Sequence, residues 1–183
     1  VFLLWSYSKY FKKSVLIGNI IVSIFCAFVA GIVLFAERKA FFELNEQNEE
    51  IGFRIALLFG GYLIFAFLST MFREIIKDLE DLEGDKAMNC KTLPIIYGIS
   101  NSKIIALIFG FSLFVLLLFF CNWLVKNEEL LAMIYTILGV LFPLIVAFLK
   151  LKKAETQTQF HQLSQLSKFI MLSGLILLII INL

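Results

Sequence analysis

Five apolar runs, each long enough to cross a bilayer, constrain this chain more than any other feature. A helix needs about 20 mostly apolar residues to span the hydrocarbon core. Such runs occupy residues 15–36, 54–76, 102–125, 129–149 and 166–183. Helices suit this solvent because each satisfies its own backbone N–H and C=O groups where no water can. Composition agrees: 61% of the 183 residues are hydrophobic and 16% charged, against roughly 45–50% and 25% in soluble domains. The expected fold class is all-α, a polytopic transmembrane helical bundle of five complete spans. No internal repeat or low-complexity linker divides the chain, so residues 1–183 are read as a single domain.

The opening "VFLLWSYSKY" reads as the end of a further, sixth apolar helix followed by a basic turn, with Trp5, Tyr7 and Tyr10 at the depth of an aromatic belt. It has no signal-peptide pattern. The expectation is that the chain begins inside a helix and that N-terminal spans lie upstream of it.

A formal net charge of +2, with no basic arm or stripe, gives no argument for a nucleic-acid partner, and none is expected. The placement of the charges says more than their sum. Numbering the connections alternately puts Lys9, Lys12, Lys13, Arg73, Lys77, Lys86, Lys91, Lys103, Lys150, Lys152, Lys153 and Lys168 on one side, and only Arg38, Lys39, Arg54 and Lys126 on the other. The positive-inside rule then makes the first side cytoplasmic. In a bacterium or an archaeon the membrane would be the plasma membrane. Cys26, Cys90 and Cys121 have no spacing that suggests a disulfide framework or a zinc site, and are read as ordinary thiols. The segment 37–53, with five glutamates, is read as a solvated, partly helical loop. His161, in the polar stretch 150–165, has no cysteine or carboxylate pair beside it in sequence and is read as solvent-exposed.

All three aspartates of the chain, Asp78, Asp81 and Asp85, fall within "DLEDLEGDK" on the cytoplasmic side. If the preceding span continues as a helix past the membrane surface, these three and Glu74 lie within about 60° of one another on its face, with Gly84 the weak point of that continuity. Like charges so placed destabilise a helix by a few tenths of a kcal/mol per pair. Two readings compete. One is an exposed, charged helix end in which Lys77 and Lys86 pair with the glutamates. The other is a magnesium and diphosphate site: magnesium is commonly held by one or two carboxylates plus substrate phosphates, and Arg73, Lys77, Lys86 and Lys91 could contact the remaining phosphate oxygens. Confinement of every aspartate to one face beside an apolar bundle favours the second. Lys12 and Lys13 either anchor the topology or reach the same diphosphate.

"REIIKDLEDLEGDKAMNCKTLPIIYG", residues 73–98, resembles the second aspartate-rich motif of the UbiA superfamily of membrane prenyltransferases, and "YFKKSVLIGNI", residues 10–20, resembles the Lys-Lys or Lys-Arg turn found two spans earlier in that superfamily. The likeness extends over essentially the whole chain in span pattern. It implies a nine-span bundle around a lipid-open cavity capped on the cytoplasmic side. It also implies that Asp81 and Asp85 are the D-x-x-x-D metal pair, that Asp78 is a supporting acidic ligand, and that Arg73, Lys86, Lys91, Lys12 and Lys13 face the diphosphate. The superfamily's first motif, N-D-x-x-D-x-x-x-D, does not occur in residues 1–183. Its expected place is upstream. A natural half-protein, lacking ligands for a second magnesium and inactive alone, is the other possibility.

The resemblance implies Mg2+-dependent ionisation of an allylic isoprenoid diphosphate and transfer of the prenyl group to a membrane acceptor. "REIIKDLEDLEGDK" followed by "KTLP" is most similar to the digeranylgeranylglyceryl phosphate synthase branch, so the expected acceptor is geranylgeranylglyceryl phosphate or a related lipid. The same motif shape recurs in branches that prenylate an aromatic quinone precursor. Phenylalanine-rich spans could wall a dry slot for the isoprenoid tail. From other classes, a cation channel would need ionisable residues along a path through the spans, and these have almost none between their ends. A CDP-alcohol phosphotransferase would need D-x-x-D-G, and Leu82 follows Asp81.

Overall fold

The computed structural model describes residues 15–181. Among them lie seven helices: α1 (Ile17–Ala36), α2 (Arg38–Gln47), α3 (Glu49–Glu80), α4 (Leu82–Ala87), α5 (Leu93–Lys126), α6 (Leu130–Lys153) and α7 (Gln157–Ile180). No strand occurs among the described residues. Five of these helices, α1, α3, α5, α6 and α7, are long and apolar enough to cross a membrane. The sixth apolar stretch, at the start of the chain, and the turn with Lys12 and Lys13 lie outside the described residues.

The α3 helix is the axis of the bundle, packing against α1, α5 and α7, while α6 closes the far side against α5 and α7. Its length follows from its ends. Asn48 caps it, its side chain accepting from the N–H of Ile51 at 3.1 Å, with Glu49 and Glu50 in the first turn beside the positive end of the helix dipole. At the other end Met71, Phe72, Ile75, Ile76 and Leu79 are buried against Leu93 and Leu113 of α5, Leu144 and Leu151 of α6, and Phe160 and Leu163 of α7. The tightest core therefore lies directly under the aspartate stretch. Hydrocarbon tails offer no hydrophobic drive for helices to associate, so close approach of small residues matters. Gly110 leaves room for the rings of Phe72 and Phe148, which meet edge to face at 6.1 Å, and Gly174 does the same for Phe65. Large apolar side chains such as Phe28, Phe35, Phe111, Phe119 and Ile179 face outward, as lipid-facing residues must.

Helix boundaries and winding depart from the apolar runs in several places. The α5 helix begins at Leu93, well before residue 102, because Pro94 suits a helix start. It kinks at Gly98, whose φ of 82° and ψ of 164° belong almost only to glycine. The last helix begins at Gln157, not near 166, because Thr156 and Gln159 form a reciprocal capping box. Within α6 the segment Thr136–Leu141 is wound as π-helix. Within the 37–53 segment α2 has no buried residue, which fits a solvated connection, and Gly52, in the first turn of α3, is buried against Asn45.

Candidate active site

Asp78 sits near the end of α3, half-buried, and its Oδ2 accepts a 2.8 Å hydrogen bond from the side-chain amide of Asn19 on α1. It also feels the negative charges of Asp85, Glu74 and Asp81. The other three carboxylates of the sequence motif thus lie within electrostatic reach of Asp78, but not along a continuous helix. The α3 helix stops at Glu80, and Asp81 is the joint, with φ −88° and ψ 7°. The chain then turns into the short α4, where the N–H of Asp85 bonds to the carbonyl of Asp81 at 2.9 Å. The N–H of Cys90 returns to the carbonyl of Asp85 at 2.9 Å, closing the end of α4. Gly84, expected to be the weak point, lies inside α4. The break falls three residues earlier, so the helical angle worked out for Asp85 does not apply.

The basic residues divide into two groups. Arg73 is half-buried and ion-paired with Glu74, which leaves its remaining guanidinium N–H groups for any anion. Lys86, on α4, and Lys91, beyond it, are exposed on the same loop. Among the described residues neither Lys77 nor Lys86 forms an ion pair. The competing reading, in which they pair with the glutamates at a charged helix end, finds no such pair among the described residues. Lys12 and Lys13 lie outside the described residues.

Two residues of this region had no role assigned from sequence. Asn19 is one; the asparagine of "IGNI" carries no local signal for a partner 59 residues away. His161 is the other. It is exposed, as expected, but it stands on a helix, with Nδ1 2.7 Å from Oε1 of Glu80, and so ties the start of α7 to the last residue of α3. Cys26, Cys90 and Cys121 are free thiols.

The donor set fits magnesium in kind. Aspartates and a glutamate are hard oxygen ligands, and magnesium takes one or two of these while keeping water and phosphate oxygens. Among the described residues no three His, Cys, Asp or Glu side chains converge as a ready metal site. A metal held here would draw its remaining ligands from elsewhere, as phosphate oxygens would provide. In the opposite half of the bundle, Tyr62, Phe65, Leu117, Phe120 and Leu177 line an apolar cavity of about 60 Å³ between α3, α5 and α7. It lies roughly 24 Å along α3 from Asp78, at 1.5 Å per residue.

Comparison with known proteins gives a consistent result. The model of the family described as "UbiA prenyltransferase family" matches residues 1–172. Digeranylgeranylglyceryl phosphate synthase of Methanosphaera stadtmanae is 30% identical over 170 residues, 91% of this chain and 54% of the relative. The protein of the same name from Methanopyrus kandleri is 40% identical over 114 residues, 62% of this chain and 36% of the relative. That from Pyrococcus furiosus is 60% identical over 53 residues, 28% of this chain and 19% of the relative. The chain spans about half the length of the relative it matches over 91% of its residues, and the matched segments cover between 19% and 54% of these three relatives. No solved structure gives a significant match.

Proposed function

Because this chain belongs to the UbiA prenyltransferase family, we propose that it carries one half of the diphosphate site of an enzyme transferring a prenyl group from an allylic isoprenoid diphosphate to a glycerophosphate lipid. The membrane helices and the family together make it an integral membrane protein. The acceptor class follows the printed name of the relatives, with geranylgeranylglyceryl phosphate as the lipid. The observation that carries the reading is the cluster itself: Asp78, oriented by Asn19, stands among Asp85, Glu74 and Asp81 at the end of the bundle.

In this reading Asp81 and Asp85, supported by Asp78, hold magnesium, and the positive-inside pattern places them on the cytoplasmic side. Magnesium, when bound, supplies positive charge against the charge growing on a departing diphosphate. Arg73, Lys86 and Lys91, with Lys12 and Lys13, donate charge-assisted hydrogen bonds to diphosphate oxygens. The carbon–oxygen bond of the allylic diphosphate breaks with its electron pair leaving on diphosphate. The acceptor hydroxyl oxygen forms the new bond to the resulting allylic cation, and its proton passes to the departed diphosphate. Apolar helices exclude water, which would otherwise capture the cation.

Asp81→Asn and Asp85→Asn should each abolish magnesium-dependent diphosphate release, with the family's first acidic motif supplied on the same or a co-expressed polypeptide, while detergent-solubilised protein stays folded. Binding offers a separate readout: Mn2+ titrated with inorganic diphosphate should give a bound paramagnetic signal that both variants lose. Unchanged turnover and unchanged Mn2+ binding in either variant would remove the assignment.

A further inference from the structure

At the same end of the bundle, on the outward side, α6 and α7 enclose a second cleft of about 290 Å³. Its rim carries Lys150 and Lys153 from the last turn of α6, and Gln159 and Gln162 from the first turns of α7. Both pairs are spaced i, i+3, which places each on one face of its helix. Its floor is apolar, formed by Val146 and Leu149 among others. It is separate from the aspartate site. Gln159 and His161 are about 200° apart around α7, so the cleft opens away from the face that touches Glu80.

The chemistry of the rim selects an anion. No carboxylate lines the cleft, and among the described residues neither Lys150 nor Lys153 forms an ion pair. The oxygen of the Gln159 carboxamide is already taken, accepting from the N–H groups of Glu155 and Thr156 at 2.8 and 3.1 Å, which leaves its NH2 as a donor. The start of α7 adds the positive end of a long helix dipole. The floor adds a second requirement. Leu149 is exposed, and Ile145 and Phe142 continue an exposed apolar track along α6 toward the middle of the bundle. A free phosphate would satisfy the rim and leave this track bare. A molecule with an anionic head and a hydrocarbon tail satisfies both, and basic clefts between membrane helices are recognised lipid headgroup sites.

We infer that the Lys150, Lys153, Gln159 and Gln162 cleft binds the phosphate headgroup of an anionic membrane lipid, whose chain lies along Leu149, Ile145 and Phe142. The lipid bridges α6 and α7 and holds their turn in place at the membrane surface.

The test compares dioleoylphosphatidylglycerol with dioleoylphosphatidylcholine, which have the same chains and differ in head charge, added to the detergent-solubilised full chain. Native mass spectrometry counts retained lipid, and a thermal ramp reads stabilisation. Phosphatidylglycerol should be retained more strongly than phosphatidylcholine and should raise the unfolding midpoint. In K150Q/K153Q its affinity should fall roughly thirtyfold, about fivefold for each lysine. K150R/K153R should keep it, and K168Q, an exposed lysine change on α7 outside the cleft, should leave it unaltered. Equal retention of the two lipids, equal retention by K150Q/K153Q, or full displacement of phosphatidylglycerol by an equal concentration of inorganic phosphate would each overturn the inference.

Discussion

The side-chain amide of Asn19 holds Oδ2 of Asp78 at 2.8 Å, so α1 fixes the orientation of a carboxylate on α3. A hydrogen bond to a charged group contributes about 1.5–3 kcal/mol. Asn19→Ala should therefore weaken Mn2+ binding in the presence of diphosphate by about tenfold or more and lower the detergent unfolding midpoint. Asn19→Asp, which sets another negative charge against the cluster, should be the more damaging. Wild-type Mn2+ affinity in both variants would mean that Asp78 is oriented without Asn19.

Sidedness is open to labelling. In a background with Cys26, Cys90 and Cys121 changed to serine, Lys86→Cys should react with a membrane-impermeant maleimide only from the cytoplasmic face, and Lys126→Cys only from the opposite face. Both are exposed beyond the apolar spans. Reversed labelling would place the aspartates outside and defeat the positive-inside assignment.

Backbone strain singles out Gly98. Nothing lies within 4 Å of a Cβ added there, yet its φ of 82° and ψ of 164° are nearly closed to other residues. Gly98→Ala should cost about 1–3 kcal/mol of stability. Gly60→Ala, equally uncrowded but inside regular helix, should be neutral or stabilising by up to about 1 kcal/mol. Thermal unfolding of the pair in one detergent separates strain from crowding.

Crowding governs Gly174. A Cβ there would stand 2.2 Å from Cζ of Phe65, a ring that is itself buried. Gly174→Ala should destabilise by about 1–3 kcal/mol through overpacking. Phe65→Leu combined with it should recover part of that loss. Additive effects in the double-mutant cycle would show that α3 and α7 do not meet at this point.

Much of the architecture was open to reading because membrane solvation acts locally. Each span declares itself by its own run of apolar residues, whatever its neighbours, and the aspartate stretch with its basic flanks is a contiguous motif. The residues 150–165 were harder. Their polarity suggests a loop, although Thr156-Gln-Thr-Gln159 contains the spacing of a capping box and marks the start of α7. The break at Asp81 instead of Gly84 had no such mark, since glycine is ordinarily the weaker helix former.

The sequence by itself determined an all-helical membrane bundle, the membership of its family, and the candidate ligands on one short stretch. Only the tertiary structure decided that Asn19 addresses Asp78, that His161 ties α7 to Glu80, and that Lys150 and Lys153 face Gln159 and Gln162 across a cleft. The reason is physical. Burial in lipid depends on a segment's own composition, whereas a hydrogen bond between helices depends on how each has rotated against the others. Packing of small and large side chains along the whole interface sets that rotation.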